Sequence, residues 1–119
     1  MIGTIGFESW STYHHRIDIA YEMNPDYWRR GIATMAVKKA CQFAFEHLMI
    51  NRIEAYVLPS NTPSMALLEK LEFTFEGTLK EYRRFKGKFT DVSCLSLTHA
   101  EYIKHQSMYE QLKAKVKRL

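Results

Sequence analysis

The chain has 119 residues, a length that suits one domain with a modest core, and its 46% apolar and 13% aromatic content argues against disorder. No apolar run approaches the ~20 residues of a membrane-spanning helix, and Met1 to Phe7 shows neither a basic leader nor a cleavage site, so the cytoplasm is the expected compartment. The formal charge of +4 comes largely from the last turns of the chain, which gives little support to nucleic-acid binding.

Residues 2–8 read as a first strand, with Ile5 and Phe7 apolar. Residues 9–16 form a polar connection holding Trp10, Tyr13, His14 and His15. Adjacent histidines on extended chain point in opposite directions, so a surface or structural role is expected rather than a shared ligand. From 17 to 23, Ile17, Ile19 and Tyr21 alternate with Asp18, Ala20 and Glu22, the pattern of a strand with one dry face. A helix follows over about 31–49, with Val37, Ala40, Cys41, Ala44 and Leu48 along one side and Asn51 at its C-terminal end. Arg52 to Leu58 is the next strand, so strand, helix and strand form a βαβ unit with parallel strands and a right-handed crossover.

Pro59 to Pro63 ends that strand and opens a second helix, capped by Asn61 or Thr62, with Ala66, Leu67, Leu68 and Leu71 facing the core. Residues 73–85 and 89–98 read as two strands joined at Lys86-Gly87-Lys88. The tail from His99 is helical, and Tyr102, His105, Tyr109, Leu112, Val116 and Leu119 step by three and four. That seam is expected to dock on the domain or on a second copy, as a homodimer. Lys113, Lys115, Lys117 and Arg118 read as a solvated basic end suited to a helix C-terminus. The division is therefore a domain over 1–98 and an amphipathic helix over 99–119. Cys41 and Cys94 lack any metal-ligand spacing and read as buried free thiols; no metal is expected.

The chemistry-bearing stretch is Met23 to Thr34, which joins a strand to a helix through Trp28, Arg29, Arg30 and Gly31. A glycine-containing turn at a helix start aims unpaired backbone N–H groups and the positive end of the helix dipole at one point, where a phosphate can sit. The arginines add charge, Gly31 permits close approach, and small Ala33 keeps the approach open. On the turn alone, a nucleotide pyrophosphate and a plain tight turn with solvated arginines stay open as alternatives.

Asn61-Thr-Pro-Ser64-Met-Ala-Leu67-Leu68-Glu69-Lys70-Leu71-Glu72-Phe73 resembles the Asn-x-x-Ser-x-x-Leu-Leu-Glu-Lys-Leu-Gly-Phe signature of GNAT-superfamily acetyltransferases, and most closely the RimJ/RimL-like branch that acetylates ribosomal-protein N-termini. Tyr27 to Thr34 resembles that branch's acetyl-CoA loop, and the likeness spans nearly all of residues 2–102. Trp28 stands where the superfamily has Gln or Arg, and Glu72 where glycine is usual; a positive φ at Glu72 would cost on the order of 1 kcal/mol. The family fold also has two further strands and two helices ahead of the point where this sequence starts, elements that help wall the acceptor site.

The resemblance implies an α/β (α+β) fold of GNAT type: a mixed, mostly antiparallel sheet whose central parallel pair splays for acetyl-CoA, N-terminally short, with a C-terminal helix. The implied cosubstrate is acetyl-CoA and the implied partner an amine acceptor. Its pantetheine arm would run along the 17–23 strand on backbone groups of Glu22, Met23 and Asn24, and its pyrophosphate would meet the N–H groups of Arg29, Arg30, Gly31, Ile32, Ala33 and Thr34. A backbone N–H near Met23 would stabilise the oxyanion, Ser64 would sit by the sulfur, and Asn61 would orient the helix start and the cofactor. The base is either Glu22 or a water relay. Three readings follow in order: N-acetyltransferase, a CoA-binding remnant without turnover, and a basic nucleic-acid-binding module.

Overall fold

A computed structural model describes residues 3–23 and 31–117, and within it the side chains of 5–21 and 31–116. The chain runs β1 (Gly3–Ser11), β2 (Arg16–Met23), α1 (Ile32–His47), β3 (Arg52–Val57), α2 (Thr62–Lys70), β4 (Thr74–Phe85), β5 (Lys88–Thr98) and α3 (His99–Lys117). The five strands form one sheet in the order β1-β2-β3-β5-β4. Only β2 and β3 are parallel; the other three pairings are antiparallel. The expected mixed, mostly antiparallel sheet with a parallel βαβ pair at its centre is therefore present.

One face of the sheet is dry. Ile17, Ile19, Ile53, Ala55, Val57, Leu95 and Leu97 alternate along β2, β3 and β5 and are buried against Ala33, Val37, Cys41, Ala44 and Phe45 of α1 and Leu67 and Leu68 of α2. Each buried aliphatic side chain contributes about 1.5–3 kcal/mol relative to exposure, so this cluster holds the layers together. Within it Cys41 is inert, because burial pushes its thiol up to about 12. Cys94 is only half-buried, where full burial was expected. Ala33, at the start of α1, is fully buried and belongs to the core cluster. Ala66 is exposed, and the neighbouring Met65 packs against the core in its place.

Local chemistry sets the element ends. α1 stops at His47, and Met49 then takes a left-handed φ of 56° while the Ile50 N–H returns to the Ala44 carbonyl at 3.3 Å. Asn51 is thus not the helix cap. Its N–H donates to the His15 carbonyl at 2.7 Å, and its own carbonyl accepts from the His99 N–H at 2.8 Å, which ties the β1–β2 turn, β3 and α3 together. The His15 ring nitrogen Nδ1 lies 3.0 Å from the Met49 carbonyl, so this histidine is structural, as expected.

α2 ends in a left-handed cap: Glu72 has φ 70°, its N–H donates to the Glu69 carbonyl at 3.0 Å, and the Phe73 N–H reaches the Leu68 carbonyl at 2.9 Å. The hairpin turn is Lys86-Gly87, both at positive φ (50° and 79°), which is the two-residue type I′ pattern that matches strand twist.

α3 docks mainly by its first turns. Tyr102 stacks on Phe45 at 4.8 Å between ring centroids, and its hydroxyl lies 3.4 Å from a Glu46 carboxylate oxygen. Farther along, Tyr109, Leu112 and Val116 are exposed, with Lys38 Nζ of α1 5.9 Å over the Tyr109 ring; Leu119 lies outside the described residues. Among the described residues no helix is long and apolar enough to cross a membrane.

Candidate active site

β2 and β3 begin as a parallel pair and then separate. Their register runs Arg16 with Arg52, Ile17 with Ile53 and Asp18 with Glu54, and no further. Past that point a cleft of about 540 Å³ opens, with Ile19, Ala20 and Tyr21 on one wall and Ala55 to Leu58 on the other. β2 keeps its other neighbour along the whole cleft, pairing with β1 up to Met23 opposite Gly3. Among the described residues, β2 beyond Asp18 is out of register with β3, and extended chain of this kind can take a ligand as an added strand.

α2 closes one end of the cleft. Asn61 is its N-cap, and the side-chain Oδ1 accepts from the Ser64 N–H at 3.3 Å, with Pro63 in the first turn where a missing N–H costs nothing. Asn61, rather than Thr62, thus caps the helix. The cap fixes the orientation of Ser64, which is only 4% exposed and whose hydroxyl lies 2.6 Å from the Tyr21 hydroxyl across the cleft. Burial raises the Tyr21 phenol above its usual range, an effect partly offset by the Ser64 contact.

α1 starts beyond the far end of β2. Gly31, at φ 73°, is its N-cap residue, and no described side chain caps the helix. The N–H groups of Ile32, Ala33 and Thr34 belong to the first turn, whose donors have no partner inside the helix. Among the described residues, nothing lies within 4 Å of a Cβ built on Gly31.

On the face away from the core, Glu8, Asp18 and Glu54 lie in register across β1, β2 and β3. Glu54 is 9% exposed, accepts from the Tyr56 hydroxyl at 2.5 Å and pairs with Arg52 at 3.5 Å. Burial, and then the neighbouring Glu54 charge, raise the Asp18 carboxyl above its usual range. Burial and then the bond to Glu54 likewise raise the Tyr56 phenol. Arg83 of β4 stands 5.6 Å above the Tyr56 ring and completes this side of the cleft.

The residues expected at the site divide into three groups. Asn61 and Ser64 meet at the cleft, and Gly31, Ile32, Ala33 and Thr34 begin α1 as expected. Glu22 and Met23 occupy the end of β2, with side chains that are not described. Asn24, Trp28, Arg29 and Arg30 lie outside the described residues. Tyr21 was read only as part of a dry alternation, and Tyr56 and Arg83 were not singled out. Nothing in the sequence spacing joins Tyr21 to Ser64, 43 residues apart.

A parallel pair that separates early, followed by a glycine-led helix start, agrees with the family comparison, in which the model of the GNAT acetyltransferase domain matches residues 1–74. The chain belongs to the GNAT acetyltransferase family. It is 42% identical over 102 residues to an uncharacterized N-acetyltransferase, p20, of Bacillus licheniformis, a match covering 86% of this chain and 57% of the relative. Among solved structures it resembles Mycobacterium smegmatis RimJ in complex with CoA-disulfide, with TM-score 0.79 and 31% identity over 84% of this chain and 48% of that one. It also resembles the ribosomal-protein-S5-alanine acetyltransferase of Vibrio fischeri, with TM-score 0.78 and 27% identity over 82% of this chain and 54% of that one. These likenesses agree with the RimJ/RimL-like branch read from the two motifs. The chain spans about half the length of these GNAT relatives.

Proposed function

We propose that this chain carries the acetyl-CoA site of an N-acetyltransferase and that its reaction moves an acetyl group to an amine. The observation that supports this most is the early separation of β2 from β3, followed along the chain by the glycine-led start of α1. A flexible polyanionic cosubstrate needs a ladder for its amides and a nest for its phosphates, and the two lie in succession along the chain. The pantetheine arm lies along β2 at Glu22, Met23 and Asn24. The pyrophosphate meets the N–H groups from Arg29 to Thr34, with the arginines and Trp28 beside it.

Amide formation requires a deprotonated amine, a stabilised tetrahedral oxyanion and a leaving thiolate that acquires a proton. A backbone N–H near Met23 faces the oxyanion, Ser64 donates toward the sulfur, and Asn61 holds the first turn of α2. Glu22 or a water relay takes the amine proton. The ribosomal-protein S5 alanine named for the Vibrio fischeri relative makes a protein N-terminus the first acceptor to test, ahead of small amines.

The test is calorimetry with acetyl-CoA, followed by thiol release across an amine panel that includes N-terminal peptides. Gly31→Asp puts a carboxylate against the pyrophosphate and is expected to weaken acetyl-CoA binding at least about tenfold. Unchanged affinity in that variant refutes the phosphate assignment. Binding without thiol release on any acceptor refutes the transfer reading and leaves CoA binding alone.

A further inference from the structure

Tyr21 and Ser64 come from opposite walls of the cleft, one from β2 and the other from the first turn of α2, and their hydroxyl oxygens are 2.6 Å apart. A bond this short contains one proton, so one hydroxyl donates and the other accepts. Ser64 has two donors of its own, and its backbone N–H is already committed to Asn61 Oδ1. Its Oγ–H is the donor left for anything in the cleft. If Ser64 gave that proton to Tyr21, none would face a ligand.

Two features place the shared proton on tyrosine. A phenol is the more acidic hydroxyl and therefore the better donor of the pair. The Tyr21 hydroxyl also has the Ser64 carbonyl at 3.5 Å, so both acceptors presented by Ser64 lie on the side of the phenol proton. We infer that Tyr21 is a positioning residue: its hydroxyl donates to Ser64 Oγ and turns the serine proton into the cleft, toward the sulfur that carries the electron pair when the C–S bond breaks. Tyr21 itself keeps its proton throughout, in accord with the burial that raises its phenol. This inference rests on the acetyl-transfer reading and adds to it the residue that aims the serine.

The experiment compares wild type, Tyr21→Phe, Ser64→Ala and the double variant in turnover and in binding of CoA and desulfo-CoA. The binding is measured at pH 9, where a free thiol of pKa about 8.5 is mostly thiolate. Tyr21→Phe keeps the ring and its packing, and unchanged desulfo-CoA affinity reports an intact fold. The expected result is a fall in kcat of about tenfold with the KM for acetyl-CoA within about twofold. Wild type prefers CoA over desulfo-CoA, and Tyr21→Phe and Ser64→Ala each abolish that preference. The double variant falls no further than Ser64→Ala, because Tyr21 acts through the serine.

A Tyr21→Phe chain that keeps or raises kcat and retains the thiolate preference overturns the inference, since the serine proton was then directed elsewhere. Losses that multiply in the double variant overturn it as well. Failure of wild type to bind either ligand overturns the acetyl-CoA reading together with this one, whereas binding with an unaltered preference in Tyr21→Phe overturns only the role of Tyr21.

Discussion

Two single residues are held in environments that oppose their chemistry. Glu72 sits at φ 70° in the position where α2 turns off, and its side chain is exposed. The left-handed region costs an L-residue roughly 1–2 kcal/mol, part of which glycine returns as greater freedom of the unfolded chain. Glu72→Gly is therefore expected to raise stability by about 0.5–1 kcal/mol, read as a higher urea midpoint with an unchanged slope; a lower midpoint would show that the carboxylate contributes something the backbone does not reveal. Asp18 is the second case. Its folded-state pKa is raised, so the native chain holds the carboxyl proton more tightly than the unfolded chain does, and stability falls as pH rises from the unfolded value through the folded one. Asp18→Asn removes that penalty. The variant should exceed wild type in melting temperature at pH 7 and lose the advantage below the ordinary carboxylate range; an advantage independent of pH would place its cause outside Asp18 ionisation.

At the scale of elements, α3 is started by a reciprocal cap that the sequence spells out as Thr98-x-x-Glu101. The Thr98 Oγ1 accepts from the Glu101 N–H at 3.2 Å, and Glu101 Oε1 accepts from the Thr98 N–H at 3.0 Å. That backbone bond, then the Thr98 hydroxyl, hold the Glu101 carboxyl below its usual range. A depressed carboxyl stabilises above its unfolded pKa and stops doing so as pH falls through the folded value. Thr98→Ala should thus cost about 1 kcal/mol near neutral pH, with the gap to wild type narrowing in acid. Denaturant titrations at pH 7 and pH 3 check both halves, and an equal gap at the two would remove Glu101 from the account. This cap was legible in the four residues but was passed over, since the helical stepping of Tyr102, His105 and Tyr109 had already marked the element. The elements themselves were legible because each is encoded locally: alternation at Ile17, Ile19 and Tyr21, spacing at Val37, Cys41 and Ala44, and Lys86-Gly87 for the hairpin. Asn51 was misread as a helix cap because its bonds to His15 and His99 are tertiary, and no window on α1 contains them.

At the scale of the whole molecule, the sheet is two leaves hinged at one end: β1 with β2, and β3 with β5 and β4, joined by three registered residue pairs and the core beneath them. The motif on residues 61–73 located one end of the cleft, where Asn61 and Ser64 line it, whereas Gly31 to Thr34 begin α1 and are not among the described residues that line it. The polar wall was not legible in the same way. Glu54, Tyr56 and Arg83 meet only after β5 inserts between β3 and β4 and the long hairpin returns over the sheet. A ligand bonded along β2 beyond Asp18 and seated on α1 would tie the leaves where, among the described residues, β2 and β3 fall out of register. At about a hundred times its dissociation constant such a ligand adds about 2.7 kcal/mol, on the order of 10 °C in melting temperature for a chain of this size. The location of the gain is the sharper test. Amide exchange should slow at 19–23 and 31–35, the proposed contacts of the arm and the phosphates, while the outer hairpin from Leu79 to Val92 exchanges as before. Uniform slowing over the sheet would mean that acetyl-CoA acts by general tightening, and slowing confined to the hairpin would place the ligand away from the cleft between β2 and β3.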